Sequence, residues 1–258
     1  METEKDDVLT KPGTPLKEPV IVIEHLYKSF GDNAVLKDFN LIINEEENVV
    51  VLGKSGSGKS VLIKCIIGLL KPDSGNIFVF GENVPDMAHE ELDRIRTKMG
   101  FLFQGNALYD SMTVRENLEF PLRRHWIGFS QAKVDGLVME ALGNVGLKHA
   151  VDMMPAELSG GMLKRVALAR TMILQPDIIL YDEPTTGLDP VTAREIDTLI
   201  ITLQRKYHTS SIIISHDMNC VKNTADRVVL LLDGKCYTEG TYLDFEKSTD
   251  ENIRQFFE

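Results

Sequence analysis

A glycine-rich loop between two apolar runs constrains the fold of this chain more than any other stretch. Residues 49–52 read Val-Val-Val-Leu, residues 53–60 read Gly-Lys-Ser-Gly-Ser-Gly-Lys-Ser, and residues 61–70 are mostly apolar. This order predicts a strand, a tight loop and a helix, and the loop satisfies the pattern G-x-x-x-x-G-K-[ST] in full. A strand joined to a helix in this way favours an α/β fold.

Each residue type in the loop suits the binding of a nucleotide phosphate. The glycines let backbone N–H groups turn inward, and the following helix presents unpaired N–H groups and the positive end of its dipole. Lys59 adds a cation for the β- and γ-phosphates, and the Ser60 hydroxyl can bind Mg²⁺. The predicted nucleotide-binding residues of this loop are Gly53, Lys54, Ser55, Gly56, Ser57, Gly58, Lys59 and Ser60.

The composition disfavours several classes of function. The chain has 258 residues, 43% hydrophobic and 26% charged, which is typical of a globular protein with one large or two small domains. Its net charge of −11 disfavours nucleic-acid binding and direct attachment to an anionic membrane, so we expect no nucleic-acid partner. The three scattered cysteines predict neither a zinc site nor a disulfide framework.

The first residues of the chain resemble neither a signal peptide nor a regular element. Residues 1–18 are polar and contain prolines, and we interpret them as a flexible segment before a folded domain at 19–258. No run approaches the roughly 18 apolar residues of a membrane span. A role at a membrane would therefore need a protein partner and would be exercised from the cytoplasmic side.

The folded part alternates between strand and helix patterns. Apolar or β-branched runs predict strands at 20–24, 39–44, 76–80, 99–103, 177–181, 211–215, 227–232 and 235–238, with a turn-containing segment at 25–38. Helical spacing and caps predict helices at 87–98, from Thr113 towards Pro121, after Ser130, at 160–174, from Asp189 to Leu203, and at 251–257. The early strands suit an antiparallel sheet, and the later ones a parallel sheet covered on both faces.

Two carboxylates follow one of the predicted buried strands. Residues 178–184 read Ile-Ile-Leu-Tyr-Asp-Glu-Pro, which places Asp182 and Glu183 at the carboxyl end of a strand, where ligands bind in open α/β sheets. Asp182 suits coordination of the Mg²⁺ that neutralises the phosphates. Glu183 is then placed to orient or deprotonate the attacking water.

A further signal stands at the start of a predicted helix, where residues 158–162 read Leu-Ser-Gly-Gly-Met. A Ser-Gly-Gly at a helix start is a second anion-binding N-terminus. The phosphate loop, this Leu-Ser-Gly-Gly, the Asp-Glu strand and an isolated His216 after a buried strand together resemble the nucleotide-binding subunit of ABC transporters. The resemblance implies a P-loop NTPase core with a mainly parallel sheet, an antiparallel β subdomain and a helical subdomain at roughly 105–170.

This resemblance implies roles for further residues. Phe30 matches the aromatic residue that stacks on adenine, and Gln104 matches the glutamine that reaches Mg²⁺ and the attacking water. Asp189 matches the aspartate that communicates across the dimer, and His216 matches the histidine that contacts the γ-phosphate. The implied catalytic residues are Glu183, His216 and Gln104, and the implied Mg²⁺ ligands are Ser60, Gln104 and Asp182.

Members of this family act as pairs of ATP-binding subunits packed head to tail. The resemblance implies that Ser159, Gly160 and Gly161 of one copy complete the ATP site of a second copy. The implied assembly is a homodimer with two composite ATP sites, with ATP and Mg²⁺ as cofactors and integral membrane permease subunits as partners. Catalysis in such a site is positioning and electrostatics more than covalent chemistry.

Several segments resemble one subfamily, the ATPases of Mla-type phospholipid transport systems, which act with MCE-domain proteins. Met162 stands where the common signature has Gln, and residues 101–114, 117–123 and 252–257 are also similar to the Mla-type pattern. By contrast, residues 185–187 follow the general ABC form. The resemblance implies an ATPase that powers phospholipid transport on the inner face of the cell membrane, with an MCE-domain lipid-binding protein as a further partner.

Two other classes of protein stay open at this point. A soluble ABC ATPase without a permease would be absent from membranes and would not be captured with a polytopic protein. A non-hydrolysing ATP-binding module is disfavoured because Glu183 and His216 are both present. Among transporters, the alternative is an importer or exporter of another lipophilic solute.

Overall fold

Ten strands lie in the part of the chain that the structure describes. The computed structural model describes residues 18–125 and 128–257. The strands, in chain order, are β1 (Pro19–Phe30), β2 (Asn33–Asn44), β3 (Asn48–Leu52), β4 (Ser74–Val79), β5 (Glu82–Asn83), β6 (Met99–Leu102), β7 (Ile178–Asp182), β8 (Ser210–Ser215), β9 (Arg227–Leu232) and β10 (Lys235–Gly240).

Helices connect and cover these strands. In chain order they are α1 (Lys59–Ile66), α2 (His89–Thr97), α3 (Val114–His125), α4 (Gln131–Asn144), α5 (Gly160–Met172), α6 (Pro190–Tyr207), α7 (Met218–Thr224), α8 (Tyr242–Lys247) and α9 (Glu251–Arg254). Over residues 18–125 and 128–257, no helix combines the length and the apolar character needed to cross a membrane.

The strands form two sheets of different kinds. The smaller sheet is antiparallel and has the order β2-β1-β4-β5. The larger sheet has the order β10-β9-β3-β8-β7-β6, and its strands are parallel except that β10 runs antiparallel to β9. The predicted mainly parallel sheet, with an antiparallel sheet beside it, is confirmed.

The larger sheet is buried on both faces. Every residue of β3, β7 and β8 is buried, and successive side chains of a strand point to opposite faces. Val49 and Val51 pack in one cluster with α1 and the antiparallel sheet, whereas Val50 and Leu52 pack in a second cluster with α6 and α7. The continuous apolar runs in the sequence therefore reflect coverage on both faces.

A third apolar cluster lies among α3, α4 and α5. Its buried members include Leu118, Val138 and Val166, one from each of these helices. All of its buried members except Ile173 lie within the helical insert predicted at 105–170. The boundaries of that insert, and of the predicted domain at 19–258, stay predictions, and residues 1–17 of the predicted flexible segment lie outside the described residues.

The segment predicted at 25–38 contains a turn, as expected, but most of it is strand. Strands β1 and β2 run through it, and only Gly31 and Asp32 form the turn. The pairing of the two strands is interrupted by register shifts, and His25 and Asp38 adopt the left-handed conformation with φ of 49° and 59°. Such bulges break the alternation of side chains on which the strand prediction depends.

The helix predictions are confirmed in place but not always in length. Helix α3 continues past Pro121 to His125, and α6 continues to Tyr207. The sequence prediction omitted α7 and α8. Helix α7 is short and contains poor helix formers, and it is started by the Asp217 side chain, which accepts a hydrogen bond from Asn219 N at 2.8 Å.

Candidate active site

The glycine-rich loop joins β3 to α1 and encloses the Lys59 side chain. Lys59 is only 6% exposed, and its Nζ donates hydrogen bonds to Gly53 O at 2.6 Å and Lys54 O at 2.9 Å. Burial lowers the pKa of Lys59, and the nearby carboxylates Glu183 and Asp182 oppose that shift. The fold therefore holds a desolvated cation in the middle of the loop.

Two glycines of the loop are required by close approaches. A Cβ atom on Gly53 would lie 2.7 Å from Ser57 Oγ and 2.8 Å from Leu231 O. Gly58 has a φ of 104°, and a Cβ atom there would lie 2.7 Å from Val35 Cγ1. Any larger residue would force the loop away from β9 or from β2, because L side chains fit neither the space nor the backbone conformation.

Ser60 and Asp182 meet at the start of α1. The Ser60 hydroxyl donates a hydrogen bond to Asp182 Oδ1 at 3.0 Å, although the two residues are far apart in sequence. Asp182 is 7% exposed, and burial raises its pKa, while the hydrogen bond from Ser60 opposes the shift. Within the described residues, no group of three or more His, Cys, Asp or Glu side chains could hold a metal ion by itself.

Glu183 and His216 follow neighbouring strands and are in contact. His216 Nδ1 lies 2.8 Å from Glu183 Oε2, and the Thr186 hydroxyl donates a hydrogen bond to the same oxygen at 3.1 Å. Glu183 adopts a left-handed conformation with a φ of 51°, which is unusual for this residue type. The carboxylate is therefore held by two side chains on a strained turn directly after β7.

The loop, Glu183 and His216 line one cavity of about 710 Å³, a size typical of small-molecule sites. Phe30 lies on its wall with 49% of its surface exposed. The predicted site residues on this wall are Phe30, Lys54, Ser55, Gly56, Gly58, Lys59, Ser60, Gln104, Glu183 and His216. Sequence reasoning missed four further lining residues, Val35, Val61, Gln255 and Phe256.

The predicted residues Ser159, Gly160 and Gly161 do not line this cavity. Ser159 caps α5, its Oγ accepts a hydrogen bond from Met162 N at 3.3 Å, and both Ser159 and Gly160 are exposed. A Cβ atom on Gly161 would lie 2.6 Å from Thr192 Cγ2, so the start of α5 packs closely on α6. The fold thus places this helix start on the surface and away from the chain's own glycine-rich loop.

Asp189 also stands outside the cavity, at the start of α6. Its Oδ1 accepts hydrogen bonds from Val191 N at 3.0 Å and Thr192 N at 3.1 Å, and its Oδ2 accepts one from the Thr192 hydroxyl at 2.6 Å. The hydrogen bonds from Thr192 hold the pKa of Asp189 below its usual value. Asp189 and the start of α5 therefore share a surface through Thr192.

Two cations, the buried Lys164 and the half-buried Arg170, tie α5 to the segment after β6. Lys164 is 2% exposed, and its Nζ donates a hydrogen bond to Gln104 O at 3.0 Å. Arg170 donates to Ala107 O at 2.8 Å and to Asn106 O at 3.0 Å. Sequence reasoning assigned Lys164 and Arg170 no role.

Comparisons with known proteins agree with this arrangement. The family profile described as ABC transporter matches residues 36–186. The intermembrane phospholipid transport system ATP-binding protein MlaF of Haemophilus influenzae is 36% identical over 241 residues, which are 93% of this chain and 91% of that protein. The probable ribonucleotide transport ATP-binding protein mkl of Mycobacterium bovis is 38% identical over 236 residues, 92% of this chain and 66% of that protein.

A solved structure has the same fold. It is the dimeric, post-hydrolysis ATP-binding cassette MJ0796 bound to ADP and Pi, with a TM-score of 0.79 and 33% identity, covering 86% of this chain and 98% of that chain. The fold and the site define a P-loop ATPase with the architecture of an ATP-binding cassette. This chain belongs to the ABC transporter family, as the resemblance of its motifs predicted.

Proposed function

We propose that this chain is the ATP-hydrolysing subunit of a transporter that moves phospholipid, working as a homodimer on integral membrane permease subunits. The observation that carries the proposal is its similarity to MlaF, which extends over 93% of the chain. Met162 and the segment 101–114, which resemble the Mla-type pattern, support the same subfamily. The chain is also similar to mkl, a protein named for ribonucleotide transport, so ribonucleotides are the competing candidate substrate.

The residues around the glycine-rich loop fit a complex of ATP with Mg²⁺. Ser60 and Asp182 offer oxygen atoms that are 3.0 Å apart, and oxygen is the ligand type that Mg²⁺ prefers. Two protein ligands suffice for a cation that takes its other ligands from phosphate and water. Ser60, Asp182 and Gln104 would hold Mg²⁺, which when bound neutralises charge on the β- and γ-phosphates.

The remaining cavity residues would divide the work of hydrolysis. Lys59 binds the phosphates through a cation that burial has already desolvated. Glu183 orients or deprotonates the attacking water, and His216, at 2.8 Å from Glu183 Oε2, holds that carboxylate and reaches the γ-phosphate. Phe30 stacks on the adenine, because its exposed ring stands at one edge of the cavity.

A second copy of the chain would complete each site. Ser159 and Gly160 form an exposed helix start that is not part of the chain's own cavity. A helix start of this kind attracts phosphate, so it suits the open side of the cavity in another copy. The structure of MJ0796, described as dimeric and bound to ADP and Pi, supports this arrangement. Asp189 beside the same surface would then sense the partner.

The permease would bind near the segment that follows Gln104. Tyr109 and Phe120 are 44% and 39% exposed, and their rings contact each other at a tilt of 53° with centroids 4.9 Å apart. Because Lys164 and Arg170 join this segment to α5, movement at the permease would reach the helix start that faces the second copy. We place the dimer on the cytoplasmic face of the membrane, with an MCE-domain protein as a further partner of the transporter.

The test is to purify the chain from membranes with its permease and to reconstitute the complex in liposomes. We expect a polytopic protein to copurify, and ATP-dependent movement of a fluorescent phospholipid that stops in the Glu183→Gln variant. The matched control is Glu90→Gln, an exposed residue away from the cavity. Stimulation of hydrolysis by ribonucleotides and not by phospholipid would contradict phospholipid as the transported substrate. Failure of any permease to copurify would contradict the role of this chain in a transporter.

A further inference from the structure

The tail segment, residues 250–257, supplies part of the wall of the nucleotide cavity. Gln255 and Phe256 line the same 710 Å³ cavity as Phe30, Lys59 and Glu183. Neither tail residue belongs to the phosphate loop, the Asp-Glu strand or the Ser-Gly-Gly start of α5. The structure therefore brings a further, sequence-distant segment to the wall of the cavity.

The tail segment is fastened to the body of the protein on its other side. Asp250 Oδ2 accepts a hydrogen bond from the Tyr237 hydroxyl at 2.8 Å, and Ile253, at 6% exposure, packs in the core cluster beside α6 and α7. The Phe257 ring contacts Tyr242 at a tilt of 55°, with centroids 5.9 Å apart. The contacts of Asp250 and Ile253 hold the segment in place, Phe256 lines the cavity, and its neighbour Phe257 packs on α8.

The tail segment forms a wall of the cavity and does not plug it. The volume of about 710 Å³ is what remains with Gln255 and Phe256 in place, and it lies in the range of sites for molecules the size of a nucleotide. Phe256 is half-buried and lines this cavity. An aromatic ring at that position would gain contact with a bound nucleotide and exclude water from it.

We infer that Phe256 is a nucleotide-binding residue that retains ATP in the cavity of its own chain. The inference rests on the proposed ATP site and adds a residue to it. Gln255 supports Phe256 from within the segment, because its Nε2 donates a hydrogen bond to Asn252 O at 2.6 Å and closes the last turn. Removing the Phe256 ring should weaken binding of ATP and leave the chemical step unchanged, because Glu183 and His216 keep their contacts.

The test uses the full chain and three variants, Phe256→Ala, Phe256→Tyr and Phe257→Ala. Calorimetric titration with a non-hydrolysable ATP analogue should show a dissociation constant about threefold to tenfold higher for Phe256→Ala, the range of one lost aromatic contact. KM should rise by a similar factor with kcat unchanged. Phe256→Tyr keeps the ring and should bind within about twofold of the wild type, as should Phe257→Ala, since Phe257 does not line the cavity.

Several outcomes separate this inference from the proposed function. A wild-type chain that binds no ATP would overturn both. A wild-type chain that binds ATP, with Phe256→Ala binding as well or more tightly, would overturn the inference alone. Equal weakening in Phe256→Ala and Phe257→Ala would also overturn it, because the effect would then come from loosening of the tail segment. Thermal unfolding without nucleotide checks that all variants are folded.

Discussion

The glycine-rich loop and the start of α5 are both helix N-termini suited to phosphate, but the fold treats them in opposite ways. Around the loop, Lys59 is 6% exposed and hydrogen-bonded within the chain, and Ser60 is bonded to Asp182. At the start of α5, Ser159 and Gly160 are exposed and contribute nothing to the chain's own cavity. The glycine-rich loop is therefore enclosed and hydrogen-bonded within its own chain before any ligand binds, whereas the start of α5 faces outward.

From this difference we expect the glycine-rich loop and the start of α5 to contribute to different steps of ATP binding and hydrolysis. The glycine-rich loop with its neighbours, here called the loop half, already holds Lys59 and Asp182 away from solvent. Its binding groups should therefore need little rearrangement when a nucleotide enters. The start of α5, here called the α5 half, would gain its partner only when a second copy of the chain approaches. Nucleotide binding should therefore depend on the loop half of a single chain, whereas hydrolysis should depend on both halves. Five substitutions test that division.

The largest effect is expected for Lys59→Ala. Removing the buried cation leaves the phosphates without their charge partner inside the loop, and we expect ATP affinity to fall by about 100-fold or more, with hydrolysis lost. Equilibrium titration with an ATP analogue measures this change. The matched control is Lys71→Ala, which removes an exposed lysine and should bind normally. Retained binding in Lys59→Ala would show that the loop half is not the primary site.

The next largest effect is expected for Glu183→Gln. The amide keeps the shape of the side chain but is a poor base, so kcat should fall by about 10² to 10⁴ while ATP still binds. We expect the variant to accumulate as an ATP-bound dimer, which gel filtration with ATP measures. Turnover near that of the wild type would contradict the assignment of Glu183 as the residue that orients or deprotonates the attacking water.

A smaller effect, confined to hydrolysis, is expected for Ser159→Arg. The long cation fills the exposed start of α5, so hydrolysis should fall by about tenfold or more while the isolated chain still binds ATP with normal affinity. His149→Arg adds the same side chain at another exposed position near the α3–α5 cluster and serves as the control. Loss of ATP binding by the monomeric Ser159→Arg chain would contradict the division between the halves.

The smallest effects are expected on stability, and they should have opposite signs at the two halves. The pKa of Asp182 is raised by burial, so its carboxylate destabilises the fold as the pH rises through the folded-state value. Asp182→Asn should therefore raise the melting temperature of the nucleotide-free chain near neutral pH, by the order of 2 °C. The gain should vanish below about pH 4, where the acid is protonated in both states.

Asp189 gives the matched comparison for that measurement. Hydrogen bonds from Thr192 lower its pKa, so its carboxylate stabilises the fold above the unfolded value, and that contribution is lost as the pH falls through the folded value. Asp189→Asn should lower the melting temperature near neutral pH, and only slightly, since Asn is also a good helix cap. Shifts of equal sign in the two variants would contradict the contrast between the two halves.

Much of the fold was predictable because local patterns of apolar and polar residues specify its strands and helices. The continuous apolar runs of β3, β7 and β8 predicted a sheet buried on both faces, and the structure confirms it. Strands β1 and β2 were predicted too short, with a turn-containing segment at 25–38 between them, because the bulges at His25 and Asp38 disturb the alternation. Helix α7 was omitted because its stability comes from packing of Cys220 and Val221, and not from helix propensity.

The candidate site was predictable where one motif carries the chemistry. The types and spacing of Gly53 to Ser60 determine a phosphate loop, because backbone conformation and a nearby cation suffice to specify it. The contact between His216 and Glu183 was not predictable, because it joins the ends of two strands whose order in the sheet is a tertiary property. The position of Phe256 on the wall of the cavity was not predictable from the sequence for the same reason.

The sequence by itself determined the class of chemistry: a phosphate loop, an acid pair after a buried strand and a second helix start for phosphate. Only the tertiary structure decided which of these groups face one another. It buries Lys59 beside Asp182, binds Lys164 to Gln104 O, and leaves the Ser159 helix start on the surface. The physical reason is that residue types set local backbone and charge, whereas desolvation and alignment depend on contacts between distant segments.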